Sequence, residues 1–168
     1  NFFEKKGPFL LSDLFGKTYR EKKIKISNIK TLNNAKKSDL TFFDTINYKE
    51  LAEKTKAGCC ITTEKLKEYL PNNCVVILVK NVLFELAKVT KKFYPNSDID
   101  YPDKSLSKPT KSKYPKVKFG NNVLIGKKVK IGKNTIIGSN TIIESKVSIG
   151  KNCVIGSQVM VKNTIIGD

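Results

Sequence analysis

From Phe119 to Gly167 the hydrophobic positions recur with a period of six. Written in sixes, the stretch reads FGNNVL, IGKKVK, IGKNTI, IGSNTI, IESKVS, IGKNCV, IGSQVM. An aromatic or aliphatic residue stands at 119, 125, 131, 137, 143, 149 and 155, and Gly follows it every time except at Glu144. A second apolar or small residue comes four places after the first: Val123, Val129, Thr135, Thr141, Val147, Cys153 and Val159. This period fits neither the face of an amphipathic helix nor the alternation of a half-buried strand. It is the hexapeptide repeat of a left-handed parallel β-helix. Each unit predicts one short strand and a turn, and three units predict one triangular rung of about eighteen residues. The residue at the first position is expected to point inward, where β-branched Ile and Val pack well in extended backbone. The Gly is expected at the corner, where a missing Cβ helps. Asn122, Asn134, Asn140 and Asn152 fall in the turn and tolerate left-handed geometry. A rung cannot bury its own ends. Past Met160 the register changes, because Ile166 follows Val161 by five residues, and neither a capping helix nor a polar cap appears before Asp168. The expectation is an incomplete, truncated stack of coils, with a short β-helix acting as a plain spacer as the alternative.

Residues 1–94 carry the shorter patterns of a small α/β domain. Leu10–Phe15 predicts a short helix ended by Gly16. Lys23-Ile24-Lys25-Ile26 alternates as an edge strand would, and Ile29, Leu32 and Ala35 continue an apolar thread through a loop. Strands are predicted at Leu40–Phe43, at Cys59–Thr62 and, most strongly, at Cys74–Val79. A helix is predicted over Tyr48–Lys56 with Asn47 as its N-cap, and a short helix or turn over Glu64–Tyr69, stopped by Pro71. Asn81 caps a third helix whose apolar face is Val82, Leu86, Val89 and Phe93; Lys91 and Lys92 suit its last turn, and Pro95 ends it. Residues 95–118 hold four of the six prolines among Lys, Ser and Asp, which predicts a semi-rigid connector between a head at 1–94 and coils at 119–168.

Charge changes the picture less than its size suggests. The net charge is +17, yet Arg20 is the only arginine among 32 cations, and the lysines are spread through every segment. Phosphate clamps and base readers favour the planar fork of Arg, so a solvated Lys coat is preferred to nucleic-acid binding; attraction to acidic lipids or an acidic carrier protein needs only a diffuse field. Cys59, Cys60, Cys74 and Cys153 form no CxxC pair and read as small hydrophobes of a reducing compartment. Adjacent Cys59 and Cys60 are expected on opposite faces of a strand. The 168 residues contain no histidine. That excludes a Ser-His-Asp or Cys-His site, any His-ligated metal, and hence a hexapeptide carbonic anhydrase, within this stretch. No membrane-length apolar run occurs, and Asn1-Phe2-Phe3-Glu4 lacks the order of a secretory leader.

A small α/β head, a Pro-rich connector and then hexapeptides resembles the UDP-3-O-acylglucosamine N-acyltransferases of lipid A biosynthesis. The resemblance is carried by Ile26-Ser-Asn-Ile29-Lys-Thr-Leu32-Asn-Asn-Ala35, by Ser38–Asp44 with Tyr48, by Ala57 with Cys59-Cys60-Ile61, and by Phe93-Tyr94-Pro95. The family implies a head that binds the uridine of the nucleotide sugar, with the uracil held between the Phe and Tyr of a Phe-x5-Tyr pattern; the matching positions are Phe42 and Tyr48. Where the family usually has Asn three residues after the Phe, this chain has Thr45, with Asn47 nearby. Alternation alone would place one of Phe42 and Phe43 in the core. The family further implies transfer of a 3-hydroxyacyl chain from acyl carrier protein to the 2-amino group of the sugar, with a His as general base, no metal, and no cofactor beyond the phosphopantetheine of the carrier. That base belongs to later coils of the family pattern, so no catalytic residue is assigned here. A cytoplasmic homotrimer, with at most peripheral contact with the inner membrane, is implied as well. The alternatives are another hexapeptide sugar acyl- or nucleotidyltransferase, and a non-enzymatic trimeric scaffold or polyanion-binding protein.

Overall fold

The computed structural model describes residues 2–16, 18–19 and 23–168. Arg20, the lone arginine of the charge argument, lies outside them. Contacts divide the chain into one unit of Glu4–Ile99 and a second of Asp100–Asp168 with Phe2 and Phe3.

In the first unit, β1 (Phe9–Leu10) leads directly into a five-residue helix α1 (Leu11–Phe15), and β1 pairs antiparallel with β2 (Lys25–Ile26). Gly16 ends α1 at φ +90°. The main sheet is fully parallel, in the order β3 (Asn28–Ile29), β4 (Asp39–Phe43), β5 (Cys59–Thr62), β6 (Val75–Leu78). The apolar thread at Ile29 is therefore a strand at its start, paired with Leu40. Both faces of the sheet are covered, so its strands are apolar on both sides rather than alternating. Leu40, Cys59, Ile61 and Ile77 pack against Val82, Val89 and Phe93 of helix α3 (Val82–Phe93). Phe43 and Cys60 face the other way, with Ala52 of helix α2 (Lys49–Glu53), Ala57, Leu70 and Cys74. Asn81 caps α3 as the sequence predicts, its Oδ1 accepting the Phe84 N–H at 3.0 Å. Asn47 does not cap α2. A 3₁₀ turn, Ile46–Tyr48, precedes that helix and leaves Tyr48 in the cap position.

Cys60, Cys74 and Cys153 are free thiols, and Cys59 and Cys60 do lie on opposite faces of β5. Burial pushes the Cys74 thiol up to about 11 and the Cys60 thiol higher still. A thiolate is the reactive species. A disulfide reagent at mildly alkaline pH is thus expected to label half-buried Cys153 first, and Cys59, Cys60 and Cys74 only after unfolding. Four equal labelling rates on the folded protein would contradict this packing.

The second unit winds nine two-residue strands, described in full: β7 (Lys118–Phe119), β8 (Leu124–Ile125), β9 (Lys130–Ile131), β10 (Ile136–Ile137), β11 (Ile142–Ile143), β12 (Ser148–Ile149), β13 (Val154–Ile155), β14 (Met160–Val161) and β15 (Ile165–Ile166). They form three parallel sheets, β7-β10-β13, β8-β11-β14 and β9-β12-β15. This is the left-handed parallel β-helix that the repeats predict. Ile125, Ile137, Ile143 and Ile149 are buried at its axis. Thr135 and Thr141 are buried too, and their hydroxyls donate to the Gly150 and Gly156 carbonyls, each at 2.9 Å, so no hydroxyl is stranded there. The positive-φ corner residues are Asn122, Lys128, Asn134, Asn140, Lys146, Asn152, Gln158 and Asn163, at φ of 49–66°. Lys and Gln take the same strained conformation as the predicted Asn. The repeat glycines stand there for another reason than backbone freedom: a Cβ on Gly132 would lie 2.4 Å from the Gly150 carbonyl carbon in the next coil. The register change past Met160 shortens a turn and leaves the ladder intact. Ile149 pairs with Ile166, seventeen residues on, whereas Ile143 pairs with Val161, eighteen on.

Residues 100–117, part of the stretch 95–118 read from the sequence as connector, pack on the coils. Tyr114 is buried, its hydroxyl donating to the Val129 carbonyl at 3.1 Å, and its ring meets Phe119 edge-on at 5.8 Å. Ser107 and Ile125 exchange two backbone hydrogen bonds. Asp103 accepts the Ser145 N–H at 2.7 Å and both the N–H and hydroxyl of Ser105. Burial pushes its carboxyl up, but these hydrogen bonds outweigh burial and hold it below the usual carboxylate range.

Candidate functional site

The C-terminal ends of β3 and β4 bring together two segments that are distant in sequence. β4 carries successive phenylalanines, and alternation separates them. Phe43 is 1% exposed in the core, with its ring edge-on to Tyr69 at 6.4 Å, whereas Phe42 is only half-buried. The chain then leaves the sheet through Asp44 and Thr45 into the 3₁₀ turn, which lifts Tyr48 to 52% exposure. From the end of β3 comes a tight turn in which the N–H groups of Asn34 and Ala35 both donate to the Thr31 carbonyl at 3.0 Å. That turn is pinned from below. Leu32 is buried, and the buried Thr55 hydroxyl donates to its carbonyl at 2.7 Å.

Between these segments lies an open cleft of about 550 Å³, walled by Phe42, Asp44, Thr45, Tyr48 and Leu51 on one side of the loop path and by Thr31–Asn33 on the other. Of the positions marked in the sequence, Phe42, Thr45 and Tyr48 meet here. Asn47 is exposed and lies outside the lining. The turn residues Thr31–Asn33, with Asp44 and Leu51, line the cleft without standing out in the sequence; the Asn33-Asn34 pair in a short turn between two apolar positions is the one signal for them. Neither the Phe42 nor the Tyr48 ring pairs with another aromatic side chain among the described residues, so both have faces to offer. A planar apolar ligand with a polar edge fits such walls. The titratable groups here are Asp44 and Tyr48.

A larger cleft of about 750 Å³ borders α1 and the β1–β2 ribbon, lined by Ser12, Asp13, Tyr19 and Lys25 among others. It offers one aromatic ring, and its carboxylate, Asp13, already accepts the Leu10 N–H at 3.3 Å. No group of three or more Cys, Asp or Glu among the described residues is placed to hold a metal ion, and no described helix is long and apolar enough to cross a membrane.

Comparison with known proteins finds matches in both parts of the chain. The sequence model described as UDP-3-O-(3-hydroxymyristoyl) glucosamine N-acyltransferase, LpxD, matches residues 23–92, which contain the sheet and the whole cleft. The bacterial transferase hexapeptide model matches residues 116–149 and 128–163. UDP-3-O-acylglucosamine N-acyltransferase 1 of Sulfurimonas denitrificans is 29% identical over 112 residues, which are 67% of this chain and 31% of that protein. UDP-3-O-acylglucosamine N-acyltransferase of Rickettsia prowazekii is 33% identical over 101 residues, 56% of this chain and 29% of that protein. The corresponding protein of Francisella tularensis subsp. holarctica is 34% identical over 85 residues, 51% and 25% respectively. The chain thus spans under a third of the length of these curated relatives. Its head is thus similar to the UDP-3-O-acylglucosamine N-acyltransferases, and its coils to the bacterial hexapeptide transferases.

Proposed function

We propose that the protein transfers a 3-hydroxyacyl chain from acyl carrier protein to the 2-amino group of UDP-3-O-acylglucosamine, and that this stretch supplies its uridine-binding head. The observation that carries the reading is the meeting of Phe42, Thr45 and Tyr48 in one open cleft within the segment that matches the family. In this reaction the amine nitrogen attacks the thioester carbonyl. The C–N bond forms as the C–S bond breaks, the nitrogen gives up a proton to a general base, and the carrier thiol leaves. The 168 residues hold no histidine, so in this reading the imidazole base lies outside them and the head contributes positioning. Binding energy from the nucleotide, remote from the reacting amine, serves to orient it.

Two surfaces support the partners in this proposal. The outward side of sheet β8-β11-β14 carries Leu124, Ile142 and Met160, the last 57% exposed. The adjoining sheet shows Ile136 and Val154, the latter 73% exposed. Such rows favour burial against other copies, as a trimer would provide. The lysines of the coils are also not spread evenly. Lys127, Lys128, Lys146 and Lys162 stack along one corner and Lys133 and Lys151 along a second, while the third is formed by Asn, Ser and Gln. A basic edge of this kind suits an acidic carrier protein.

The test is calorimetric titration of UMP into the protein. Binding is expected, and F42A is expected to weaken it by roughly 1–3 kcal/mol, about five- to 150-fold, as the loss of one stacking face does. UMP affinity that is the same in the wild type, F42A and Y48A would remove the nucleotide from this cleft.

A further inference from the structure

Where the coils begin, β7 is an edge strand, paired with β10 on one side. The Lys118 and Gly120 N–H groups donate to the Thr135 and Ile137 carbonyls at 3.0 and 2.8 Å. Alternation along the strand turns the Phe119 N–H the other way, to the open edge. At the equivalent position of β8 that donor is covered, because the Ile125 N–H donates to the Ser107 carbonyl at 2.8 Å. The Phe119 N–H has no acceptor among the described residues. Against this edge lies an open cleft of about 630 Å³, lined by Lys108, Lys111 and Lys118 and by the apolar Pro109, Val117 and Phe119. None of the three lysines has a carboxylate partner among the described residues. No Asp or Glu occurs between Asp103 and Glu144, a stretch with ten lysines. Asp103 itself is committed to Ser105 and Ser145.

We propose that this cleft at the open edge of β7 binds a phosphate monoester. The Phe119 N–H and the ammonium groups of Lys108, Lys111 and Lys118 take the phosphate oxygens, and Pro109 and Val117 lie against the body of the ligand. A phosphate monoester carries a charge of about −1.5 to −2 at neutral pH and three strong acceptor oxygens. Three cations and one fixed N–H match it in sign and in number of donors, whereas a single carboxylate would leave most of the positive charge unmet. An unpaired N–H at the edge of a sheet is a fixed partial positive charge of the kind that seats anions. Lysine lacks the planar fork of arginine, but it binds phosphate well as a point charge. The ester has two possible sources, a soluble metabolite and the headgroup of an anionic phospholipid, and the site offers the same chemistry to both. The cleft belongs to the coil unit, so this inference stands whether or not the head binds a nucleotide.

The experiment titrates phenyl phosphate into the isotope-labelled chain and follows the backbone amide signals. The Phe119 amide is expected to move downfield and saturate, and inorganic phosphate should bind more weakly because it has no apolar body. K108A/K111A is expected to weaken phenyl phosphate about tenfold, as the loss of two partly screened charge contacts does. K54A/K56A removes the same charge from the head and should change the affinity by less than about twofold, since exposed charges beyond a Debye length are screened. The side chains of these four lysines are exposed and make no hydrogen bond among the described residues, so both variants should fold. Cosedimentation with phosphatidylcholine vesicles, with and without phosphatidic acid, separates the two sources. Binding to the acidic vesicles that K108A/K111A abolishes assigns the phosphate to a headgroup. Phenyl phosphate binding at Phe119 without cosedimentation assigns it to a soluble ester. Equal weakening by K54A/K56A and K108A/K111A would reduce the site to a diffuse field and overturn it. So would a Phe119 amide that stays in place together with no binding to the acidic vesicles.

Discussion

Phe93→Ala is expected to cost the head about 3–5 kcal/mol, the usual range for emptying a fully buried aromatic site. Phe93 is the last residue of α3 and is 0% exposed. Its ring closes the core formed by Leu11, Ile26, Leu40, Ile61 and Ile77, and it meets Phe9 edge-on, centroids 5.0 Å apart at 89°. It thus joins three parts of the unit: the helix, the main sheet and the β1–β2 ribbon. The helix cannot collapse into the void without dragging its whole buried face, because Val82 and Val89 are buried on the same side. A loss of that size is a large fraction of the roughly 5–15 kcal/mol that keeps a domain folded. Urea unfolding followed by far-UV ellipticity reads it directly, since every described helix lies in the first unit. Phe84→Ala is the internal comparison. Phe84 lies on the same helix, 63% exposed, and its loss should change stability by less than about 0.5 kcal/mol. Similar midpoints for the two variants would show that α3 is not docked through Phe93.

Gly132→Ala is the second large effect, and it tests why glycine recurs in the hexapeptides. The added Cβ would stand 2.4 Å from the Gly150 carbonyl carbon and 2.5 Å from the Lys151 nitrogen. These are backbone atoms of the next coil, held in place by the ladder; Gly132 N–H itself donates to the Ile149 carbonyl at 2.9 Å. No rotamer change relieves such a contact, so the coils must part and the ladder must stretch. Overpacking of this kind costs about 1–3 kcal/mol and sometimes more, which for a unit of this size lowers Tm by roughly 5–20 °C. At Gly156 a Cβ would meet only Val159 Cγ2, at 3.8 Å. Gly156→Ala in this 168-residue chain is therefore expected to melt within a degree or two of the wild type, by the ordinary tolerance of open positions. Equal losses at 132 and 156 would mean that the backbone conformation of glycine, rather than the close approach of the next coil, sets the requirement.

The cleft was legible in the sequence only in part. Phe42, Thr45 and Tyr48 stand out through a spacing pattern shared with a family, and they do line one cavity. Asn47 fits the same local pattern, but the 3₁₀ turn sends it to the outside, because Tyr48 and not Asn47 faces the cleft from that turn. Thr31, Leu32 and Asn33 carry no local mark of a binding role. They enter the site because β3 pairs with β4 in parallel, Asn28 beside Asp39 and Ile29 beside Leu40. That juxtaposition crosses about ten residues of chain that periodicity does not constrain.

The coils are the opposite case. A solenoid repeats its contacts at a fixed separation in sequence, so a one-dimensional pattern is also the packing pattern. The sequence alone determined the inward ladder at Ile125, Ile137, Ile143 and Ile149, the left-handed corners at Asn122, Asn134, Asn140 and Asn152, and the parallel β-helix itself. It determined the apolar face and the cap of α3 for the same reason, since both are set within a few residues. Tertiary structure alone decided what depends on residues meeting from far apart. It laid the Pro-rich stretch onto the coils through Asp103, Ser107 and Tyr114, absorbed the lost residue between Val161 and Ile166 in one turn, and gave glycine its role through the carbonyl of the coil beyond. It also chose between Phe42 and Phe43, because which face of β4 lies open depends on the loops and helices that cover the sheet, and no strand pattern encodes that.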